Sequence, residues 1–273
     1  MQKKEFKTGV NIIGGFALDG EAQLELIKSA GFDAFFTGWE NGCDLSPLAK
    51  KAEKLGLIFQ SVHAPFGGVD RVWKEGPEGD NYIDMLCECA NECKSVGAPI
   101  MIAHPFIGFF DHSPNELGVS RFMRLNSHAS KLGIKIAYEN VEGEEYLEAI
   151  MKASDPETVG FCLDTGHEVC YNRSRDRLAL YGDRLIATHF NDNLGIRSAN
   201  GSITPADDLH LLPFDGVVNW KGVMERIYKH GYDGVITFEL KVKGGAEHEK
   251  YRDLTPEEYF DLAHERALKV INL

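Results

Sequence analysis

Short apolar, β-rich runs alternate along this chain with longer amphipathic ones. The strand-like runs are TGVNII near Thr8, DAFFTG from Asp33, LIFQSVH from Leu57, PIMIAH from Pro99, IKIAYEN from Ile134, VGFCLDT from Val159, RLIATHF from Arg184 and GVITFEL from Gly234. Between them lie stretches with apolar residues at helical spacing: EAQLELIKSAGF, SPLAKKAEKLGL, IDMLCECANECKSVGAP, LGVSRFMRLNSHASKLGI and WKGVMERIYKHGYDG. They stop at Gly31, Gly56, Gly97, Gly133 and Gly231. Glycine takes the left-handed conformation that closes a helix without steric cost. In SPLAKKAEKLGL, Ser46 is the expected N-cap and Pro47 the first helical residue. The helix–glycine–strand phrase recurs as SAGFDAFF, KLGLIFQS, SVGAPIMI, KLGIKIAY and KHGYDGVI. It is one supersecondary unit used repeatedly, not a solenoid repeat.

Nearly continuous apolar strands separated by helices predict a parallel sheet covered by helices. Eight such units predict a closed (β/α)8 barrel, one domain over residues 1–273. A doubly wound open sheet is the runner-up, but no GxGxxG follows the first strand. No low-complexity linker divides the chain. A length of 273 residues would allow two domains, but it also suits one barrel of about 250.

Composition narrows the classes. Hydrophobic residues make up 43% and charged residues 26%, which fits a folded soluble protein. No apolar run approaches the roughly 18 residues of a membrane span. Lys and Arg total 29 against 42 Asp and Glu, for a net charge of −13. That argues against a partner with a phosphate backbone. MQKKEFKTGV has no apolar stretch behind its basic start, so no signal peptide is expected and the protein is placed in the cytoplasm. The cysteines show no CxxC, and CECANEC reads as buried free thiols, not a metal site, in a reducing compartment.

The strand ends carry the chemistry. In order they present His63, His104, Glu139, Asp164 with His167, His189 with Asp192, and Glu239; a long loop after the seventh strand adds Asp208 and His210. A lone histidine at a strand end is usually a packing residue. A closed barrel, however, makes all these ends converge on one axis, and converging charges need a cation. Glu139, Asp164, His189 and Glu239 offer three carboxylates and one imidazole. Such oxygen-rich ligation suits one divalent ion, Mn2+, Mg2+ or Co2+, with Zn2+ compatible through the imidazole. Cys162 precedes the DTGH stretch and shares strand parity with Asp164, which leaves its direction open. Phe66 and Trp73 follow the third strand, and Phe106, Ile107, Phe109 and Phe110 follow the fourth. Aromatics there suit either the cover of a ring-shaped ligand or a subunit contact. Lys241 and Lys243 in LKVKGGAEH sit where barrels often hold a phosphate, without a P-loop pattern.

In this order and at these places, HAP at His63, HP at His104, EN at Glu139, DTGH from Asp164, HFND at His189, HLLPFDGVVNW from His210 and FEL at Glu239 resemble the xylose isomerase-like TIM barrels. That superfamily also holds abasic-site endonucleases of the endonuclease IV type. The resemblance covers nearly the whole chain. It implies that Glu139, Asp164, His189 and Glu239 hold one divalent metal. It implies that Glu139 and Glu239 are also the acid and base of an isomerase or epimerase working through a cis-enediolate. His63, His104, His167, Asp208 and His210 would bind substrate, with Trp73 and Phe109 lining the pocket. A lyase of the inosose or dehydroshikimate dehydratase kind is the alternative. A three-zinc endonuclease is the second alternative, because its ligand types are matched by His63, His104, Glu139, Asp164, His167, His189, Asp208, His210 and Glu239. The acidic charge and strand-end loops without a basic DNA-penetrating segment weigh against it. The expected partner is a small sugar, with no nucleic acid, no membrane, and a homodimer or tetramer common in such enzymes.

Overall fold

The computed structural model describes residues 5–110 and 113–273. The first four residues of MQKKEFKTGV, and Asp111 and His112 of the loop after the fourth strand, lie outside the described residues. The chain runs β1 (Thr8–Asn11), α1 (Gly20–Ala30), β2 (Ala34–Gly38), α2 (Ser46–Leu55), β3 (Ile58–His63), α3 (Glu78–Val96), β4 (Ile100–Ala103), α4 (Glu116–Leu132) and β5 (Lys135–Glu139). It continues with α5 (Glu144–Ala153), β6 (Val159–Asp164), α6 (Thr165–Cys170), α7 (Leu178–Tyr181), β7 (Leu185–His189), α8 (Trp220–Lys229), β8 (Ile236–Phe238) and α9 (Pro256–Ile271).

Among the described residues every strand-to-strand ladder is parallel, and each strand lies beside its sequence neighbours, with β1 also paired to β8. The seam between β7 and β8 is closed differently. Phe190 bridges Phe238, and the Phe190 N–H donates to the Thr237 carbonyl at 2.8 Å. The Thr237 N–H donates to the Thr188 hydroxyl at 2.9 Å. Side-chain oxygens thus complete a ladder that backbone alone leaves short. The result is the expected (β/α)8 barrel.

Four of the five glycine stops hold; α8 is capped by His230, with the left-handed Gly231 one residue beyond. Gly31, Gly56, Gly97 and Gly133 each take the left-handed cap position. The start of α2 differs from expectation. Ser46 is its first helical residue and Leu45 the cap position, without a side-chain cap. The Asp44 carboxylate accepts the Ser46 N–H at 2.8 Å, and Glu92 of α3 accepts the Leu45 N–H at 2.6 Å. Carboxylates are stronger acceptors than a serine hydroxyl, so they set the boundary.

Strand parity builds the floor of the site. Ile136, Tyr138, Phe161 and Leu163 point outward into the helix-covered core. Ile102, Ala137, Cys162 and Ala187 form a separate small cluster inside the barrel. Ala137, Cys162 and Ala187 each precede an inward strand-end residue by two positions: Glu139, Asp164 and His189. Side chains alternate faces along a strand, so the same parity carries both layers inward. Small residues below leave room for the charged layer above. Cys162 therefore points inward. Of the cysteines, Cys89, Cys93, Cys162 and Cys170 are buried and Cys87 is half-buried, all free, but Cys43 is exposed in the loop after β2. Among the described residues, no helix is long and apolar enough to cross a membrane.

Candidate metal centre

Register brings the ligand types together. Asp164 and His189 are direct partners across β6 and β7. His189 Nδ1 lies 3.2 Å from Glu139 Oε2 and 3.4 Å from Glu239 Oε2, so the imidazole stands between the two glutamates. Ligand atoms of Glu139, Asp164, His189 and Glu239 all fall within 4.8 Å of one another. His63 Nε2 and His104 Nε2 approach Glu139 Oε2 at 3.4 and 3.3 Å. His167 Nδ1 approaches Glu139 Oε1 at 3.3 Å.

These contacts fit a cation better than they fit one another. Among the described residues, both oxygens of Glu139 and both ring nitrogens of His189 are buried without a hydrogen-bond partner. His63 shows why. Its Nδ1 sits 2.8 Å from the Ala64 carbonyl, which only accepts, so Nδ1 carries the proton. A neutral His63 then turns an Nε2 lone pair toward the Glu139 carboxylate. Such facing lone pairs are relieved by a proton or by a metal ion. The set His63, Glu139 and His189 is itself close enough to share an ion.

The charges respond to this crowding. Burial pushes the Glu139 carboxyl up, but His189, His104 and His167 outweigh it and hold it well below the usual range. Asp164 goes the other way, raised to about 6, because burial dominates and the Glu139 charge adds to it. Burial drives the His189 imidazole down, yet Cys162, Glu139 and Glu239 raise it well above its ordinary value.

Asparagines hold Asp164 in place. The Asn191 amide donates to Asp164 Oδ2 at 2.7 Å, and the His167 N–H donates to Oδ1 at 2.6 Å, so Asp164 also caps α6. Asn140 brackets the Asp164 backbone, accepting its N–H at 2.8 Å and donating to its carbonyl at 2.9 Å. A Cβ on Gly166 would sit 1.9 Å from Asn191 Oδ1, which explains the glycine of DTGH. These asparagines were adjacent to the motif residues and carried no charge to draw notice.

A second ligand group stands on the short helix α6 and on the long loop after β7. His167, Asp208 and His210 are close enough to share an ion, with His167 Nε2 and His210 Nε2 at 3.5 and 2.8 Å from Asp208 oxygens. His210 Nδ1 faces the Glu239 carbonyl at 3.1 Å, so both its nitrogens face acceptors. Burial lowers the His210 imidazole, but Asp208 outweighs that and raises it. His210 also holds φ +50, a left-handed backbone uncommon outside glycine.

Asp192, one of the strand-end carboxylates, does not reach the centre. It accepts the N–H groups of Asn193, Phe214 and Val218 and the Trp220 indole at 2.8–3.1 Å. Its work is to pin the long loop that carries Asp208 and His210.

A cavity of about 360 Å3 opens above the centre, with His63, His104, His167, Asp208, His210, Glu239, Phe66 and Phe109 in its wall. Phe66 stacks on His104 at 4.5 Å. Trp73 requires a correction. It is buried, donates to the Pro105 carbonyl at 2.9 Å and packs on Phe122 and Tyr146. This large ring, eight residues beyond the HAP motif at the end of a short 3-10 turn, is claimed by the core. Two polar residues of the same wall, Glu142 and Tyr171, were not singled out from sequence. Lys241 reaches Asp208 at 3.2 Å, and Lys243 lines a separate cavity. The loop YNRSRDR does hold three arginines on this side of the barrel, against the expectation of no basic loop. Arg175 and Arg177 are both paired with Glu144.

Residues 24–258 match the family model described as xylose isomerase-like TIM barrel. An inosose dehydratase of Lacticaseibacillus casei is 29% identical over 136 residues, which cover 43% of this chain and 44% of that protein. Among solved structures, an IolI protein with a binding zinc atom aligns at TM-score 0.76 and 19% identity, covering 97% of this chain and 98% of that one. A D-tagatose 3-epimerase-like protein aligns at TM-score 0.69 and 23% identity, covering 96% and 99%. At these identities, the two structural likenesses establish the fold.

Proposed function

The chain belongs to the xylose isomerase-like TIM barrel family, and from that premise we propose that it is a divalent-metal-dependent sugar isomerase or epimerase working through a cis-enediolate. The observation that carries this reading is the placement of Glu139 and Glu239 on either side of His189, 3.2 and 3.4 Å from its Nδ1. Two carboxylates flanking one point supply a base and an acid for two positions or two faces of one substrate. A divalent ion held by Glu139, Asp164, His189 and Glu239 supplies the positive charge that acidifies the C–H beside a carbonyl. Mn2+, Mg2+ or Co2+ suits the three carboxylates, and Zn2+ the imidazole.

The remaining steps belong to side chains. Glu239 lines the cavity and exchanges the substrate proton. Burial raises its carboxyl, but His189 and His210, with His63, outweigh that and hold it below the usual range, which favours the ionised form that accepts a proton. His104 and His167 stand over the centre and donate to substrate oxygens as charge develops on them. Phe66 and Phe109 cover the apolar face of the bound sugar and limit water.

The test is a ketose incubated with Mn2+-loaded protein in D2O. Deuterium entering a substrate carbon supports the reading. Loss of water to an enone, seen by ultraviolet absorbance, would replace it with the dehydratase reading. A second reading, a three-metal phosphodiesterase-like centre, is favoured by the His63–Glu139–His189 and His167–Asp208–His210 groups beside the first. Three metals per chain together with incision of an abasic-site duplex would establish that reading instead.

A further inference from the structure

Four polar residues of the cavity wall belong to none of the three ligand groups: His104 and Lys241, which face Glu139 and Asp208, and Glu142 and Tyr171. Glu142 is only 8% exposed. Its Oε1 accepts the Gly108 N–H at 2.8 Å, tying it to the loop that carries Phe109. Its Oε2 has no hydrogen-bond partner among the described residues. The Tyr171 ring stacks on His167 with centroids 4.8 Å apart and meets Phe109 edge-on at 5.5 Å. Its hydroxyl likewise has no partner among the described residues. Both rings of contacts fix the phenol, so the hydroxyl is placed without being used. A carboxylate of low exposure with one oxygen free of protein donors and turned to the cavity is placed to accept from a ligand hydroxyl.

The other charges around the cavity are already spent. Lys241 is engaged by Asp208 at 3.2 Å. The imidazoles face Glu139, Asp208 or Glu239. A phosphate ester entering beside Glu142 would meet a like charge, and no unpaired lysine or arginine lines this cavity to offset it. Sugar hydroxyls suit the pair. A hydroxyl donates to Glu142 Oε2, and the same or a neighbouring hydroxyl exchanges a hydrogen bond with Tyr171.

Resting on the isomerase or epimerase reading above, we propose that Glu142 and Tyr171 are the specificity-determining pair of this site, and that they select a substrate whose end away from the ligand residues is an uncharged polyol. The same Glu142 carboxylate accepts the Gly108 N–H in the loop that carries Phe109. Gly108 itself takes φ +135, and a Cβ there would strike the Phe110 ring, so this position calls for glycine.

Two substitutions separate recognition from structure. Glu142→Gln keeps an oxygen for the Gly108 N–H and replaces the free oxygen with a donor. Tyr171→Phe keeps both ring contacts and removes only the hydroxyl. The experiment is calorimetric titration of Mn2+-loaded protein with D-fructose, D-tagatose, D-psicose and D-fructose 6-phosphate, with Mn2+ affinity measured in parallel. In the unaltered protein at least one uncharged ketohexose binds more tightly than the phosphate ester. Glu142→Gln weakens that sugar by about 10-fold or more, and Tyr171→Phe by roughly 3- to 10-fold, with Mn2+ affinity unchanged. Glu142→Gln also narrows the gap between sugar and phosphate ester. Unchanged sugar affinity in both variants, or tighter binding of the phosphate ester by the unaltered protein, overturns the proposal while leaving the isomerase reading standing. Failure of every sugar to bind overturns both.

Discussion

The centre has a floor and a wall, and they are built by different means. The floor is Glu139, Asp164, His189 and Glu239, set at the ends of β5, β6 and β7 and just beyond β8. Sheet register fixes it, with Asp164 opposite His189 and small residues two positions below. The wall is His167, Asp208 and His210. It depends on a short helix and on a loop running from β7 to α8, held by the Asp192 carboxylate and by a left-handed His210. Strand-borne ligands inherit their geometry from the barrel, whereas loop-borne ones need a dedicated scaffold of hydrogen bonds. The floor is therefore the better place for the reacting centre, and the wall the better place for variation among related enzymes.

The largest expected effect falls on the floor. Glu139→Gln and Glu239→Gln each lower solvent-deuterium exchange by about 1000-fold or more, because each removes a ligand charge and an acid–base group together. A variant that retains near-normal exchange would take its glutamate out of the chemistry.

Next comes the scaffold of the wall. Asp192→Ala leaves four N–H groups without an acceptor, and urea unfolding should show a loss of about 3 kcal/mol. If wall and floor are as separate as their construction indicates, Mn2+ affinity changes far less than stability. Equal loss of both would show that the loop also shapes the floor.

Acidity separates them in another way. The Asp164 carboxyl is raised to about 6, first by burial and then by the Glu139 charge, and a metal ion must displace its proton. Mn2+ affinity at the floor therefore rises as pH rises through about 6, by up to tenfold per unit for one released proton. In the metal-free protein the sign is opposite. Between the unfolded carboxyl value, about 4, and about 6, the folded state binds more protons than the unfolded one. Metal-free stability accordingly falls as pH rises through that window. Calorimetric titration and thermal unfolding across pH 4–7.5 check the two directions.

The smallest effect distinguishes one occupied group from more. His210→Ala should leave floor affinity for Mn2+ within about threefold, since His210 touches the floor only through Glu239 at 3.4 Å. If the wall binds its own ion, the same variant removes one metal equivalent per chain by elemental analysis.

Much of this was legible before the tertiary structure. Glycine stops and apolar runs marked the helix–strand units, and strand parity together with closure marked Glu139, Asp164, His189 and Glu239 as convergent. Other residues misled for identifiable reasons. Trp73 resembled a pocket aromatic, but its indole is satisfied by the Pro105 carbonyl within the core. Asp192 stood among the strand-end residues, but four backbone and indole donors claim it. Asn140 and Asn191 stood inside the EN and HFND motifs without a role, and Glu142 and Tyr171 raised no signal, because a carboxylate or a phenol outside a strand end has no periodicity to mark it.

Sequence alone determined the barrel, its single use of each strand–helix unit, and the residue types at the strand ends. Those follow from local rules: alternation along strands, helical spacing, and glycine where φ turns positive. Tertiary structure decided which strand-end groups share a point, which carboxylate serves a loop instead, and which free oxygens face the cavity. Such matters depend on distances between residues far apart in the chain, set by the closure at β7 and β8 and by the path of the long loops. No local rule contains those distances, because they arise only when all eight strands close around one axis.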